Sequence, residues 1–209
     1  MTTKVDICNL ALAVLGDTAT VSSIDPPEGS AQADHCARFY GLALNEVLSQ
    51  HPWSFALKRV RLASLAADVE GDDDVKQYAY PTDCLRIVRL HSKGSDDRYY
   101  QYSSEVFFGQ RVIVTSAPEP WITYVSSQVD ESIFPPLFTT CLVHRLASWL
   151  AGPLVTSSSG SEMALKQYEL YTILLSRATK ADAVQQHKKE RVKSRFLEDY
   201  HEEMPDVFY

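Results

Sequence analysis

Gln50-His51-Pro52-Trp53-Ser54-Phe55-Ala56 is the stretch on which the fold turns. Before it the chain is helical, and after it the chain alternates. The residue before a proline avoids the α region, so His51-Pro52 closes a helix. Trp53 and Phe55 then offer two large apolar rings where the chain changes character. The preceding helix reads Ala33, Cys36, Ala37, Tyr40, Leu44, Val47 and Leu48. That spacing puts one apolar stripe along about residues 30–49, with Ser30 as the expected N-cap. Ahead of it, Pro26, Pro27 and Gly29 make residues 22–29 a loop. A first helix is expected over about 3–15, with Val5, Ile7, Leu10, Ala11 and Val14 on its apolar face and Gly16 as its stop.

Downstream, short β-branched and aromatic runs replace the helical period. Lys58–Leu62, Leu85–Leu90, Glu105–Phe108, Arg111–Val114 and Trp121–Val125 read as four or five antiparallel strands with no helix between them. Gly109-Gln110 between two of these runs predicts a two-residue type II′ hairpin. Helices return at Pro135-Pro136. Leu137, Phe138, Cys141, Leu142, Leu146, Trp149 and Leu150 form the face of a third helix, which Gly152-Pro153 should stop. After a loop of capping residues (156–161), a fourth helix is expected from about Glu162 into the 180s. Leu165, Tyr168, Tyr171, Ile173, Leu174, Leu175 and Ala178 are its expected inward residues.

The expected fold is therefore α+β. An antiparallel bundle of about four helices, from residues 1–56 and 133–187, carries a small antiparallel β insertion over 57–132. Residues 188–209 form an extended C-terminal tail, too charged and too poor in apolar surface to fold against itself.

The chain has 209 residues and a net charge of −7, with 45% hydrophobic residues. The acidic balance argues against a protein that binds nucleic acid by neutralising phosphates. Hydrophobic content at this level argues against wholesale disorder. No run approaches the ~18 apolar residues of a membrane span. Asp6, Asn9 and Asp17 interrupt any apolar leader, so synthesis and assembly in a cytoplasm are expected. Cys8, Cys36, Cys84 and Cys141 are scattered among apolar neighbours and read as small buried hydrophobes. The acidic run over 68–74 lacks calcium-loop spacing and reads as a solvated loop.

The familiar nucleophile, phosphate-loop, zinc and dinucleotide motifs are absent from the sequence. Ser157–Ser161 precedes a helix but has no lysine after its glycine, so it reads as capping. His35 and Cys36 are adjacent on a helix and do not face each other. Cys141 and His144 share a face at i, i+3, yet apolar residues surround them, so packing is the expected role. His91, His187 and His201 lack ligands at metal spacing. No catalytic, cofactor or metal residue is assigned.

Two charged features remain. Lys58, Arg59 and Arg61 follow the aromatic anchor. A basic run (Lys188, Lys189, Arg191, Lys193, Arg195) precedes acidic residues and sparse aromatics. It reads either as a solvated helix end or as an arm that docks a partner through Arg191, Arg195, Phe196, Tyr200, Phe208 and Tyr209.

The ordered set comprises a helix, a Pro-containing loop, a long helix, Trp53-Ser54-Phe55-Ala56, Tyr78-Ala79-Tyr80-Pro81-Thr82-Asp83-Cys84-Leu85-Arg86, a β insertion and two further helices. Over about residues 3–185 it resembles the tail tubular protein A family, the head-to-tail adaptor of short-tailed bacteriophages. The resemblance implies a non-enzymatic structural protein located in the virion, at the head–tail junction. It implies a dodecameric ring of identical subunits between the portal protein and the tail nozzle protein, enclosing the DNA exit channel without sequence-specific binding. Trp53, Phe55, Tyr80 and Pro81 match its pattern and are read as scaffold anchors. The tail would then grip the portal. Against this stand a small enzyme built on Cys141 and His144, and a binding module that uses the charged tail.

Overall fold

The computed structural model describes residues 2–68, 75–92, 100–155 and 159–185. The chain is an α+β protein, with four helices and antiparallel sheets among the described residues. In chain order come α1 (Lys4–Val14), α2 (Ala31–Gln50), strands β1 (Leu57–Arg61), β2 (Ser64–Asp68), β3 (Lys76–Ala79), β4 (Cys84–Ser92), β5 (Ser103–Phe107), β6 (Gln110–Thr115) and β7 (Pro120–Ser126), then α3 (Pro136–Leu154) and α4 (Ser159–Gln185). The tail residues 188–209, including all six proposed docking residues, lie outside the described part.

The starts of α1 and α2 follow from capping chemistry, and α3 opens on Pro135-Pro136. Thr3 and Asp6 exchange side-chain and backbone bonds in a capping box at α1. The Ser30 hydroxyl accepts from Ala33 N at 3.1 Å at the start of α2. Gly16, at φ +82°, supplies the left-handed turn after α1. Helix α3 runs antiparallel to both α2 and α4. Arg145 of α3 meets Glu46 of α2 through Nε and Nη2, each at 2.7 Å from Oε2. The same guanidinium lies 4.8 Å from the Trp149 ring centroid and 5.0 Å from that of Tyr168 on α4. One cation thus ties three helices.

Three helix expectations need correction. The inward face of α1 is Ile7, Cys8, Ala11 and Leu12, while Leu10 and Val14 are exposed. Helix α3 runs through Gly152-Pro153. A proline in the last turn removes only one N–H, and Val155 N still reaches Ala151 O at 3.0 Å. Leu137 and Trp149 on that helix are also exposed. In α4 the buried stripe is Gln167, Tyr171, Ala178 and Asp182, each on the same helical period. Leu165, Tyr168 and Ile173 face outward, because α4 buries only the narrow strip that meets its neighbours.

The strands form two antiparallel sheets, β1-β7-β4 and β2-β3-β6-β5. Strands β2 and β3 are additions to those expected. The hairpin between β5 and β6 turns one residue earlier than predicted. Phe107 pairs with Gln110, leaving Phe108 and Gly109 in the loop at φ +46° and +76°. Two positive φ values match type I′, not II′. Phe108 is 91% exposed at the tip.

Two apolar clusters result. One fills the bundle and includes Trp53, Phe138 and Val125 of β7. The other lies in the β insertion around Tyr78, Leu90, Ile113 and Ile122. Strand β7 serves both, because its end carries Val125 into the bundle cluster while Ile122 and Tyr124 face the β cluster.

Candidate functional site

The residues that the sequence singles out fall at two places. Trp53 is buried where α2 gives way to β1, and its indole Nε1 donates to Val47 O at 2.9 Å. Its ring packs edge-on to Phe138 at 5.0 Å between centroids. Phe55 joins Phe138 at 4.8 Å and Phe134 at 5.6 Å. Such offset aromatic contacts add to burial. Tyr80 and Pro81 lie away from this group, in the β insertion. There the Arg111 guanidinium sits 4.0 Å from the Tyr80 ring centroid. The Tyr80 hydroxyl accepts from Cys84 Sγ at 3.4 Å, and burial pushes its pKa up to about 12. These side chains border a surface hollow of about 520 Å³.

Each place is held by a carboxylate. Asp83 accepts from Lys58 Nζ at 2.7 Å, from the Tyr124 hydroxyl at 2.8 Å and from the Ser126 hydroxyl at 2.8 Å. Its own carbonyl accepts from Ser127 N at 2.8 Å. Burial raises the Asp83 pKa, but the bonds from Lys58, Ser126 and Tyr124 outweigh it and hold the carboxyl at about 2. Asp83 therefore locks β1, the start of β4 and the end of β7 together.

Asp182 on α4 does the same for the anchor loop. It accepts from the Ser54 hydroxyl at 2.6 Å, from Ser54 N at 3.2 Å and pairs with His51 Nε2 at 3.1 Å. Serine, histidine and aspartate are all present, but the carboxylate stands between the other two. The serine proton points at Asp182, so this arrangement fastens a loop and does not assemble a nucleophile–base relay. An apolar hollow of about 200 Å³ lies beside it, against Trp53, Phe138 and Ala178.

Cys141 and His144 share a helix face, but they have different surroundings. Burial pushes the Cys141 thiol up to about 11, away from the thiolate. His144 Nδ1 is engaged by Gln167 Oε1 at 2.7 Å. All four cysteines are buried and unlinked. The neighbouring Cys36 thiol, together with burial, pushes the Cys8 thiol far up. Among the described residues, no group of three or more His, Cys, Asp or Glu could hold a metal, and no helix is long and apolar enough to cross a membrane.

Both carboxylate knots escape a reading of the sequence. Their partners lie 25–43 positions away for Asp83 and 128–131 for Asp182. Only the acid beside Tyr80-Pro81 carried a hint. Comparison with protein-family models finds no match, and no curated protein matches the chain.

Proposed function

We propose that this chain is the structural head-to-tail adaptor of a short-tailed bacteriophage. Its copies form a ring between the portal and the tail nozzle, and DNA leaves through the enclosed channel. The observation that carries the reading is how the two sequence stretches behind the resemblance are used. Trp53-Ser54-Phe55-Ala56 is built into the bundle through Val47, Phe138 and Asp182. Tyr80 to Arg86 surrounds Asp83, which clamps the β insertion at its exit and return. Side chains spent on fastening two parts of a subunit suit a load-bearing component. The acidic net charge suits a conduit that phosphate passes without sticking. In this reading the subunit is part of the virion and works without a cofactor.

The grip on the portal is assigned to Arg191, Arg195, Phe196, Tyr200, Phe208 and Tyr209. Many arms on one ring act together through effective concentration, even where each arm is weak. The test is co-sedimentation with purified portal rings, with circular dichroism as the folding control. The full chain is expected to pellet with the portal. The chain lacking residues 188–209 is expected to stay folded and remain in the supernatant. Full-strength binding by the truncated chain refutes the grip, and no binding by the full chain refutes the adaptor reading.

A further inference from the structure

The register of the three-stranded sheet places charge in an unexpected pattern. Residues paired across strands share a face. Arg59 pairs with Thr123, which pairs with Arg89; Arg61 pairs with Trp121; and Arg86 pairs with Val125. The opposite face carries Ile122, Tyr124 and Leu90 into the β cluster. Four arginines therefore stand on the face turned away from that cluster, the face whose bundle end is covered where Val125, beside Arg86, is buried among the helices. Arg59, Arg61 and Arg86 are exposed, and Arg89 is half-buried. Arg61 meets Glu119 at 3.3 Å, and Arg59 bonds to His91. Among the described residues no carboxylate pairs with Arg86 or Arg89. Thr123 Oγ1, on β7 between β1 and β4, lies buried without a hydrogen-bond partner.

The other end of the molecule has the opposite sign. Residues 15–37 contain Asp17, Asp25, Glu28 and Asp34 and no lysine or arginine; exposed Arg38, one turn beyond Asp34, offsets one of the four and leaves an acidic excess. Asp25, Glu28 and Asp34 are exposed. Glu162, in the first turn of α4, is exposed at the same end, because α3 runs antiparallel to α2 and brings Trp149 against Phe39. Helix α2 separates the two poles. Its 20 residues span about 30 Å at 1.5 Å per residue. The Debye length at 0.1 M salt is about 10 Å, so the poles do not cancel within one molecule. Each remains available to another.

We propose that the arginine face of one copy receives the acidic α1–α2 end of a second copy. Arginine suits the role, since its planar fork pairs with carboxylates in fixed geometry. A contact between two different patches is head-to-tail, the kind that closes into rings when the rotation permits. The inference rests on the self-association in the proposed ring and not on its place in a virion.

The test uses the full chain in sedimentation velocity at low and high sodium chloride. Association at low salt that disperses as salt rises is expected. Arg86→Glu with Arg89→Glu should weaken it about tenfold or more, and so should Asp25→Lys with Asp34→Lys. All four substitutions in one chain restore complementary poles and should restore association. Circular dichroism confirms that each variant folds. A wild-type chain that stays monomeric at every salt overturns the proposal, as does association that the reversals leave unchanged or that the fourfold variant fails to regain. A labelled DNA duplex is the control. If it binds the wild type and the arginine variant loses it while copies never associate, the face belongs to phosphate and the proposal is wrong. Failure here with intact portal binding would leave the adaptor reading standing.

Discussion

Replacing Trp53 with alanine tests whether the anchor is a core element of the bundle. The side chain is 1% exposed and makes three ring contacts, with His51, Phe55 and Phe138. A buried tryptophan removes about 200 Å² of surface from water, worth about 5 kcal/mol at ~25 cal/mol/Å². Partial collapse of the site returns some of this, while the Val47 carbonyl loses its donor. Measured truncations of this kind cost about 3–5 kcal/mol, and that is the expected loss. For a chain of this size each kcal/mol moves the melting temperature by about 2–4 °C, so a drop of roughly 6–20 °C is expected. Far-UV circular dichroism follows the transition without relying on the deleted fluorophore. Trp53→Phe is the graded control: it keeps a ring against Phe138, loses the pyrrole part of the indole with its N–H, and should cost less than the alanine change, about 1–3 kcal/mol. An alanine variant within 1 °C of wild type would refute the core assignment.

Asp83→Asn should lose roughly 1–2 kcal/mol at neutral pH, a figure reduced for the solvent around the half-exposed Lys58. The sign follows from a carboxyl held at about 2 against its ordinary 3.8: the wild-type advantage is complete above pH ~4 and disappears as pH falls through about 2. Denaturant titrations of both proteins from pH 2 to 7 should therefore converge at the acid end, and a constant gap would count against the Asp83 knot. Gly160→Ala places a methyl 2.6 Å from the Val155 carbonyl oxygen, where α4 starts against the end of α3; a loss of about 1–3 kcal/mol by urea denaturation is expected. Cys141→Ser and His144→Ala should change stability only, and a hydrolase or transferase activity lost in both folded variants would overturn the structural role.

The start of α2 and the end of α1 were legible because their causes are local, whereas α4 begins at Ser159, inside the stretch expected to be loop. Ser30 is followed three residues later by the amide that it caps, and Gly16 sits where a left-handed residue is needed. Helix faces were less legible. Apolar content was high on several sides of α1 and α4, so counting apolar residues promoted Leu10, Val14, Leu165 and Ile173, which packing leaves outside. Strand β2 is rich in alanine and β3 has four residues, so neither carries a clear alternation. The hairpin turn was displaced because Phe108 adopts a positive φ that favours glycine. The arginine face was half visible: Arg59 and Arg61 alternate in one run, but only the register of β4 with β7 adds Arg86 and Arg89.

The bond from Ser54 to Asp182 sets an order of events during synthesis. The loop after α2 leaves the ribosome 128 residues before its carboxylate partner. At about 5–20 residues per second, Val47, Leu48 and Trp53 wait roughly 6–26 s for the last helix. During that interval the β insertion emerges between them and can form its own apolar cluster. The first two helices meanwhile expose the face that α3 later covers, and α4 then packs on α3. A nascent chain arrested after Asp130 should therefore engage chaperones or aggregate, whereas one arrested with residue 185 clear of the exit tunnel should resist protease across Trp53.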